Sequence, residues 1–423
     1  MKRSTRSMRL AAVAAATALV LAACGGGDSD DNADDEGDGA SASQSDGVLT
    51  IGSLLPQTGS LAFLGPPEFA GVDLAIQEIN EAGGVLGEDV VGVKADSGDT
   101  DSGIAPAETD KLLDADADVI VGAASSGVSM TVVEKIMSAG VVMFSPANTS
   151  TDFDNGDFAE PDLYFRTAPS DILQGAVMSN LLIEDGKQNI AILARQDAYG
   201  ETLAEEIGKG LEAAGATVAA TVFYGENAQS YDSQVQEIAD SSPDAVVLVA
   251  FEETTTIVPQ LVQAGVGPQD VDTYFVDGNT ADYSGKLPDG TLEGAKGTIP
   301  GAETAGDFRE RLLEIDPDLD DFSYAGESYD ATIVSALAAI AADSDAGDAI
   351  AAEIVNVTKD GTKCTTFQEC ADLLAEGEDI DYDGVSGPIE LGETGSPTAA
   401  SIGIYQYGAD NTYEAVDYIS GNI

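Results

Sequence analysis

From Val48 onward the sequence alternates short apolar runs with amphipathic helical stretches, and no other feature limits its choice of fold so strongly. Residues 48–54 (VLTIGSL) read as a buried strand. A loop with Pro56, Gly59, Gly65, Pro66 and Pro67 follows, then a helix whose core face is Phe69, Val72, Ile76 and Ile79, stopped by Gly83 and Gly84. The same order repeats with strands at 90–95, 119–121 and 141–144 and helices at 104–115 and 128–139. A helix between two short apolar strands returns as a right-handed crossover, which makes the strands parallel neighbours. A second cycle starts near Tyr164, with helices at 171–184, 200–214, 231–239 and 253–264 and strands at 190–194, 217–223, 245–250 and 272–276. Each cycle has about 100 residues of strand and helix, enough for its own core. The expected class is therefore α/β, with two parallel sheets in two lobes. Helices at 305–315 and 324–341 and a β-rich tail at 387–391 and 401–407 imply that the chain crosses between lobes more than once.

Composition removes several functions. Of 423 residues, 76 are acidic and 17 basic, a net charge of −59, so contact with nucleic acid gains nothing from counterion release. There is no histidine, which excludes Ser/His/Asp and Cys/His catalysis and the commonest zinc, copper and haem ligand. No P-loop, G-x-S-x-G or cysteine metal cluster is present, and no cofactor is implied. Asp96, Asp99 and Asp101, and Asp316, Asp318, Asp320 and Asp321, lack the EF-hand spacing and read as turns and caps. The acidic excess suits a surface adapted to high salt.

The first residues read as an address. Lys2, Arg3, Arg6 and Arg9 precede an uncharged apolar run at 10–23, too short to span a bilayer comfortably, and Cys24 follows. Residues 1–23 are expected to be a signal peptide. Residues 24–47 are rich in Asp and Gly without a large apolar side chain before Val48, which predicts an extended, self-repelling tether. Cys364 and Cys370, six apart, suggest a small disulfide loop in an oxidising compartment, worth roughly 2 kcal/mol.

In parallel sheets ligands bind beyond the carboxyl ends of strands. The loops to inspect are 56–65, 123–129, 145–153 and 276–283. With their surroundings they resemble the type I periplasmic binding proteins of the leucine/isoleucine/valine family. The matching stretches, in order, are LPQTGSLAFLGPPEFAGVDLAIQEINEAGG (55–84), VGAASSGVSM (121–130), SPANTST (145–151), YFRTAPSD (164–171), RQDAYGETLA (195–204), FVDGN (275–279) and DYDGVSGPIEL (381–391). Leu21 to Cys24 (LAAC) resemble a bacterial lipobox, which implies cleavage before Cys24 and acylation there.

The resemblance implies two Rossmann-like lobes joined by a three-strand hinge, with lobe one at 48–165 and 296–379 and lobe two at 166–295 and 380–423. It also implies a ligand carboxylate met by Ser125, Ser126, Asn148 and Thr149; independently of the resemblance, Ser126 precedes a helix and reads as its N-cap, where free N–H groups and the positive dipole end favour an anion. The ammonium would meet Asp277, a charge-assisted contact satisfied only with the ligand present, while Tyr199 closes over the backbone atoms. Leu61, Phe63, Leu64 and Phe251 would form an apolar wall, although Leu64 stands where the family often has an aromatic. Each residue also has a plain structural use: Ser126 caps, Thr149 and Asp277 open turns, Tyr199 packs.

The implied function is a monomeric, non-enzymatic, lipid-anchored extracytoplasmic receptor that delivers an amino acid to ABC transporter permease subunits. A sensory module of the same fold and a carboxylate-based hydrolase are the rivals. A flexible tether and a chain reaching Ile423 without a membrane segment favour the shuttle.

Overall fold

The computed structural model describes residues 45–155 and 163–423. The signal peptide, Cys24 and nearly all of the tether lie outside the described residues. Lobe one begins with β1 (Thr50–Leu55), α1 (Gly65–Glu81), β2 (Val91–Asp96), α2 (Ala105–Leu113), β3 (Val119–Gly122), α3 (Ser126–Met130), α4 (Val133–Ser138), β4 (Val142–Ser145) and β5 (Tyr164–Arg166). Lobe two takes α5 (Asp171–Glu184), β6 (Asn189–Arg195), α6 (Ala198–Ala214), β7 (Thr217–Tyr224), α7 (Asp232–Asp240), β8 (Ala245–Val249), α8 (Thr254–Gln263), β9 (Asp272–Phe275) and β10 (Lys296–Pro300). The chain then returns to lobe one through α9 (Gly306–Ile315), α10 (Ala325–Ala342), α11 (Gly347–Ile354), β11 (Thr362–Cys364), α12 (Phe367–Glu376) and β12 (Ile380–Tyr382). It ends in lobe two with β13 (Ala399–Tyr407) and β14 (Tyr413–Asn422).

Every residue of β1, β3, β4 and β8 is buried, because helices cover both faces of each sheet and leave neither face to solvent. Lobe one's sheet runs β2-β1-β3-β4-β5, all parallel among the described residues. Lobe two repeats that permutation as β7-β6-β8-β9-β10, then adds β13 and β14 antiparallel beyond β10. In each lobe the order reverses beside the first strand, between β1 and β3 and between β6 and β8. Loops leaving those strands diverge there and open a crevice.

The chain crosses three times, at 167–170, 301–305 and 392–398, and the crossings run side by side. Arg166 N–H donates to Gly395 O at 3.0 Å, and Gly301 N–H to Ser401 O at 2.8 Å. Two expected boundaries move. Lys296–Pro300 pairs with both β9 and β13, so the second crossing falls after Pro300, not before Lys296. Ile380, Tyr382, Ile389 and Leu391 pack in lobe one's core, so the third crossing falls after Leu391 and not at 380.

Local chemistry explains two further departures. The helix expected at 128–139 breaks into α3 and α4, where Thr131 Oγ1 donates back to Val128 O at 2.7 Å and competes with the helical ladder. The strand expected at 387–391 is reduced to isolated pairings of Asp383 with Pro388 and Leu391 with Pro397, since proline has no N–H for a ladder. Cys364 and Cys370 are bonded, with Cα atoms 5.4 Å apart, tying β11 to α12.

Several carboxyl groups are held inside this fold. Burial is the largest cause in each case: it pushes Glu327 up to about 8, Asp171 and Asp118 to about 7, and Asp330 to about 6. These folded values exceed the unfolded ones near 4, so the folded chain holds the protons more tightly. Stability from these groups is full below pH 4 and is lost as pH rises through 6 to 8. The melting temperature at fixed high salt should therefore fall between pH 5 and pH 8, and Glu327→Gln should flatten that decline; scanning calorimetry across the range checks both.

Candidate functional site

Loops from the carboxyl ends of β1, β3 and β4 face loops from β6, β8 and β9 across the cleft. Lobe one contributes Leu61 and Leu64 after β1, Ala124, Ser125 and Ser126 after β3, and Ala147 after β4. Lobe two contributes Tyr199, Phe251, Asp277 and Gly278, and Tyr324 enters from the start of α10. Together they line one small cavity between the lobes, with Ser125, Ser126 and Asp277 as its polar members among apolar side chains.

Of the residues singled out in the sequence, Ser125, Ser126, Leu64, Tyr199, Phe251 and Asp277 line this cavity together. Asn148 and Thr149 do not. Asn148 is fully buried: its Nδ2 donates to Ala123 O at 3.0 Å and Ala124 O at 2.9 Å, and its Oδ1 accepts from Tyr164 OH at 3.1 Å. It holds the loop that presents the serines. Thr149 lies beside Asp171, whose N–H donates to its carbonyl at 2.7 Å, and the threonine hydroxyl favours the charged form of that carboxyl.

The cap is also one residue earlier than expected. Ser125 has extended backbone and its Oγ accepts from Val128 N–H at 3.4 Å, while Ser126 is the first helical residue and its Oγ accepts from Ser150 N–H at 3.4 Å. Helix α3 is only five residues long, so its dipole is small. What it offers an anion is local: first-turn N–H groups with no carbonyl four residues back, and two hydroxyls.

Asp277 is fixed from below and ringed above. It opens a short 3₁₀ turn, Asp277–Asn279, in which Asn279 Oδ1 accepts from Val276 N–H at 2.9 Å and Asn279 Nδ2 donates to Leu248 O at 3.0 Å. Asp277 Oδ1 accepts from Tyr199 OH at 2.6 Å and Gln174 Nε2 at 3.0 Å, and Oδ2 from Tyr324 OH at 2.8 Å. The expectation that this carboxylate is satisfied only with a ligand present is therefore corrected, because three neutral donors already serve it. No Lys or Arg among the described residues pairs with it. Burial raises its pKa, and the three hydrogen bonds oppose that rise. Gly278 must be small, since a Cβ there would sit 2.6 Å from Phe251 Cδ1.

Sequence reasoning missed Gln174 and Tyr324. Gln174 lies on the buried face of α5 with Leu173, Val177 and Met178, and a polar residue on an apolar helix face demands a buried partner. That signal was readable. Tyr324 precedes α10 with φ 59°, a left-handed conformation that aims its ring into the cleft and leaves no trace in sequence periodicity.

The acidic runs behave as turns. Asp96 Oδ1 accepts from the N–H groups of Gln57 at 2.9 Å and Gly98 at 2.9 Å.

The sequence pattern of the periplasmic binding protein family matches residues 48–410. The chain belongs to that family. Among its relatives in the periplasmic binding protein family is the chemotactic signal transduction system substrate-binding protein BasB of Halobacterium salinarum, 27% identical over 81% of this chain and 83% of BasB. A leucine-, isoleucine-, valine-, threonine- and alanine-binding protein of Pseudomonas aeruginosa is 29% identical over 62% of this chain and 69% of its own length. In fold, the chain is similar to the branched-chain amino acid transporter substrate-binding protein LivJ of Streptococcus pneumoniae, solved with isoleucine. The TM-score is 0.71 at 18% identity, covering 89% of this chain and 100% of LivJ. This periplasmic binding protein thus has the type I two-lobe architecture, and the family binds solutes.

Proposed function

We propose that this protein is an extracytoplasmic receptor that captures an amino acid with an aliphatic side chain between its lobes and delivers it to ABC transporter permease subunits. The halves that close are 48–166 with 301–391, and 167–300 with 399–423, and acylated Cys24 anchors the chain to the membrane. One observation carries the ligand class. A buried carboxylate without a cationic partner, Asp277, lines the same cavity as Ser125 and Ser126. Anionic oxygen on one side and donors on the other match the ammonium and carboxylate of a zwitterion. Leu61, Leu64 and Phe251 give its side chain an apolar wall. Relatives named for branched-chain amino acids support the same reading.

Ser125 Oγ accepts a backbone N–H, and no base contacts either serine among the described residues.

Titration calorimetry with the chain lacking residues 1–23 should show L-leucine, L-isoleucine or L-valine binding one to one. Isovalerate, the same apolar chain without an ammonium, should bind far more weakly. Equal binding of isovalerate would refute the role given to Asp277, and silence across the amino acids would refute the ligand class.

The likeness to BasB favours a second reading, in which the closed form is read by a signalling partner. Uptake of labelled amino acid into cells lacking the protein separates the two, since a purely sensory protein leaves uptake unchanged.

A further inference from the structure

Arg195, the last residue of β6, is 4% exposed and contacts four groups. Its guanidinium lies 3.5 Å from the centre of the Phe251 ring, a wall of the cavity. Its Nε reaches Asp197 Oδ2 at 2.6 Å, its Nη1 Glu253 Oε1 at 3.0 Å and its Nη2 Glu226 Oε2 at 3.4 Å. Asp197 caps α6, with Gly200 N–H donating to its Oδ1 at 2.8 Å, and so sets the turn that carries Tyr199. Tyr199 stacks on Phe251 with centroids 5.4 Å apart and donates to Asp277. One cation therefore holds two pieces of the cavity's lobe-two wall.

Glu226 looks the other way. Its carboxylate accepts the hydroxyl of Thr100, which belongs to the β2–α2 loop of lobe one, so this hydrogen bond bridges the lobes at the rim of the cleft. The rim and the cavity are adjacent: a Cβ on Gly127, just after cavity-lining Ser126, would lie 3.2 Å from Thr100 Cγ2 and 3.8 Å from Asp197 Cβ.

We propose that Arg195 is a positioning residue that joins the lobe-two wall of the cavity to the Thr100–Glu226 rim contact, so that shaping the cavity and holding the lobes shut are one event. Breaking the rim contact frees one anchor of Arg195, and losing Arg195 frees both the rim acceptor and the ring it supports.

The charges around the contact add a pH dependence. Glu226 faces Arg195, Asp197, Asp101 and Asp99, and burial, then Asp197, push its carboxyl up to about 7, with Arg195 opposing. Opening the cleft removes the lobe-one part of that burial together with Asp101 and Asp99, while Asp197 and Arg195 stay beside the group on lobe two, so its pKa falls from the closed-state value. The closed form then binds a proton more tightly than the open one. Closure gains its full help below the open-state pKa and loses it as pH rises through the closed-state value of about 7.

The test is the closed fraction of the full chain without added amino acid, read by single-molecule energy transfer between one dye on each lobe. Thr100→Val should lower the closed fraction about tenfold, the usual worth of a hydrogen bond to a charged group, with little change in melting temperature. Arg195→Met should lower it further, and the double variant should close no less than Arg195→Met alone. Should Arg195→Met fail to fold, Arg195→Lys takes its place in the same cycle, keeping the charge but not the fork. In the parent chain the closed fraction should be higher at pH 6 than at pH 8, and Glu226→Gln should remove that difference. Losses that simply multiply in the double variant, or a Thr100→Val closed fraction equal to the parent's, would overturn the proposal.

Discussion

Replacing Asp277 by Asn should weaken L-leucine binding by at least about 30-fold, because truncating one partner of a buried charge pair costs roughly 2–5 kcal/mol and each 1.4 kcal/mol is a decade in affinity. The choice of Asn over Ala follows from the geometry. Tyr199, Tyr324 and Gln174 all donate to this carboxylate, and Ala would leave three buried donors without an acceptor. Each orphaned group costs about 1–3 kcal/mol, so Asp277→Ala should lower the melting temperature as well as abolish binding. Asn keeps one carbonyl oxygen for Tyr199 or Tyr324 and removes the charge. Calorimetry on Asp277→Asn then separates the two roles of the residue. Lost affinity with a small change in melting temperature means that the charge recognises the ligand. Retained affinity with a lowered melting temperature means that Asp277 serves only as a hub for the tyrosines, and the ligand class proposed for the cavity fails with it.

The contrast between Asp277 and its donors shows what a sequence of this kind discloses. The alternation of apolar runs with amphipathic helices predicted two parallel sheets, because a strand buried on both faces reads as a mainly apolar run and not as a strict polar/apolar alternation. Loops at strand ends then followed from topology, and six of the residues expected to meet a ligand line one cavity. Three kinds of information were hidden. Asn148 sits in a matching motif, yet its amide faces inward to hold Ala123 and Ala124, and no motif records which way a side chain points. Tyr324 depends on a left-handed backbone far along the chain from the other cavity residues. The lobe boundaries at 300 and 391 depend on which sheet a strand joins, and Lys296–Pro300 has the same apolar character in either place. Periodicity reports burial, not partner.

Arg166 is where the crossings and the site loops meet, and its loss should be the most damaging to stability. It ends β5 just before the first crossing and is wholly buried. Nε donates to Ser396 Oγ on the third crossing at 2.8 Å, and Nη1 to Ser150 O at 2.8 Å and Asn148 O at 3.2 Å behind the cavity. Nη2 lies 2.6 Å from Asp154 Oδ1, and Asp154 also accepts from Ser396 Oγ at 2.8 Å and Ser170 Oγ at 2.7 Å. A single guanidinium therefore ties two crossings to the loop beneath the serines. Arg166→Met strands the Asp154 carboxylate and two carbonyls, and breaking a buried pair from one side costs about 3–5 kcal/mol. At a few degrees per kcal/mol, the melting temperature should fall on the order of 10 °C. Adding Asp154→Leu should restore part of that loss, since two apolar side chains leave no orphaned charge, whereas losses that add would show that Asp154 is stabilised independently of Arg166. Binding should not recover in the double variant: the carbonyls of Asn148 and Ser150 still lack their donor, and the loop that presents Ser125 and Ser126 rests on them. Scanning calorimetry and L-leucine titration on the same three proteins thus read the hinge and the cavity separately, with recovery expected only in the first.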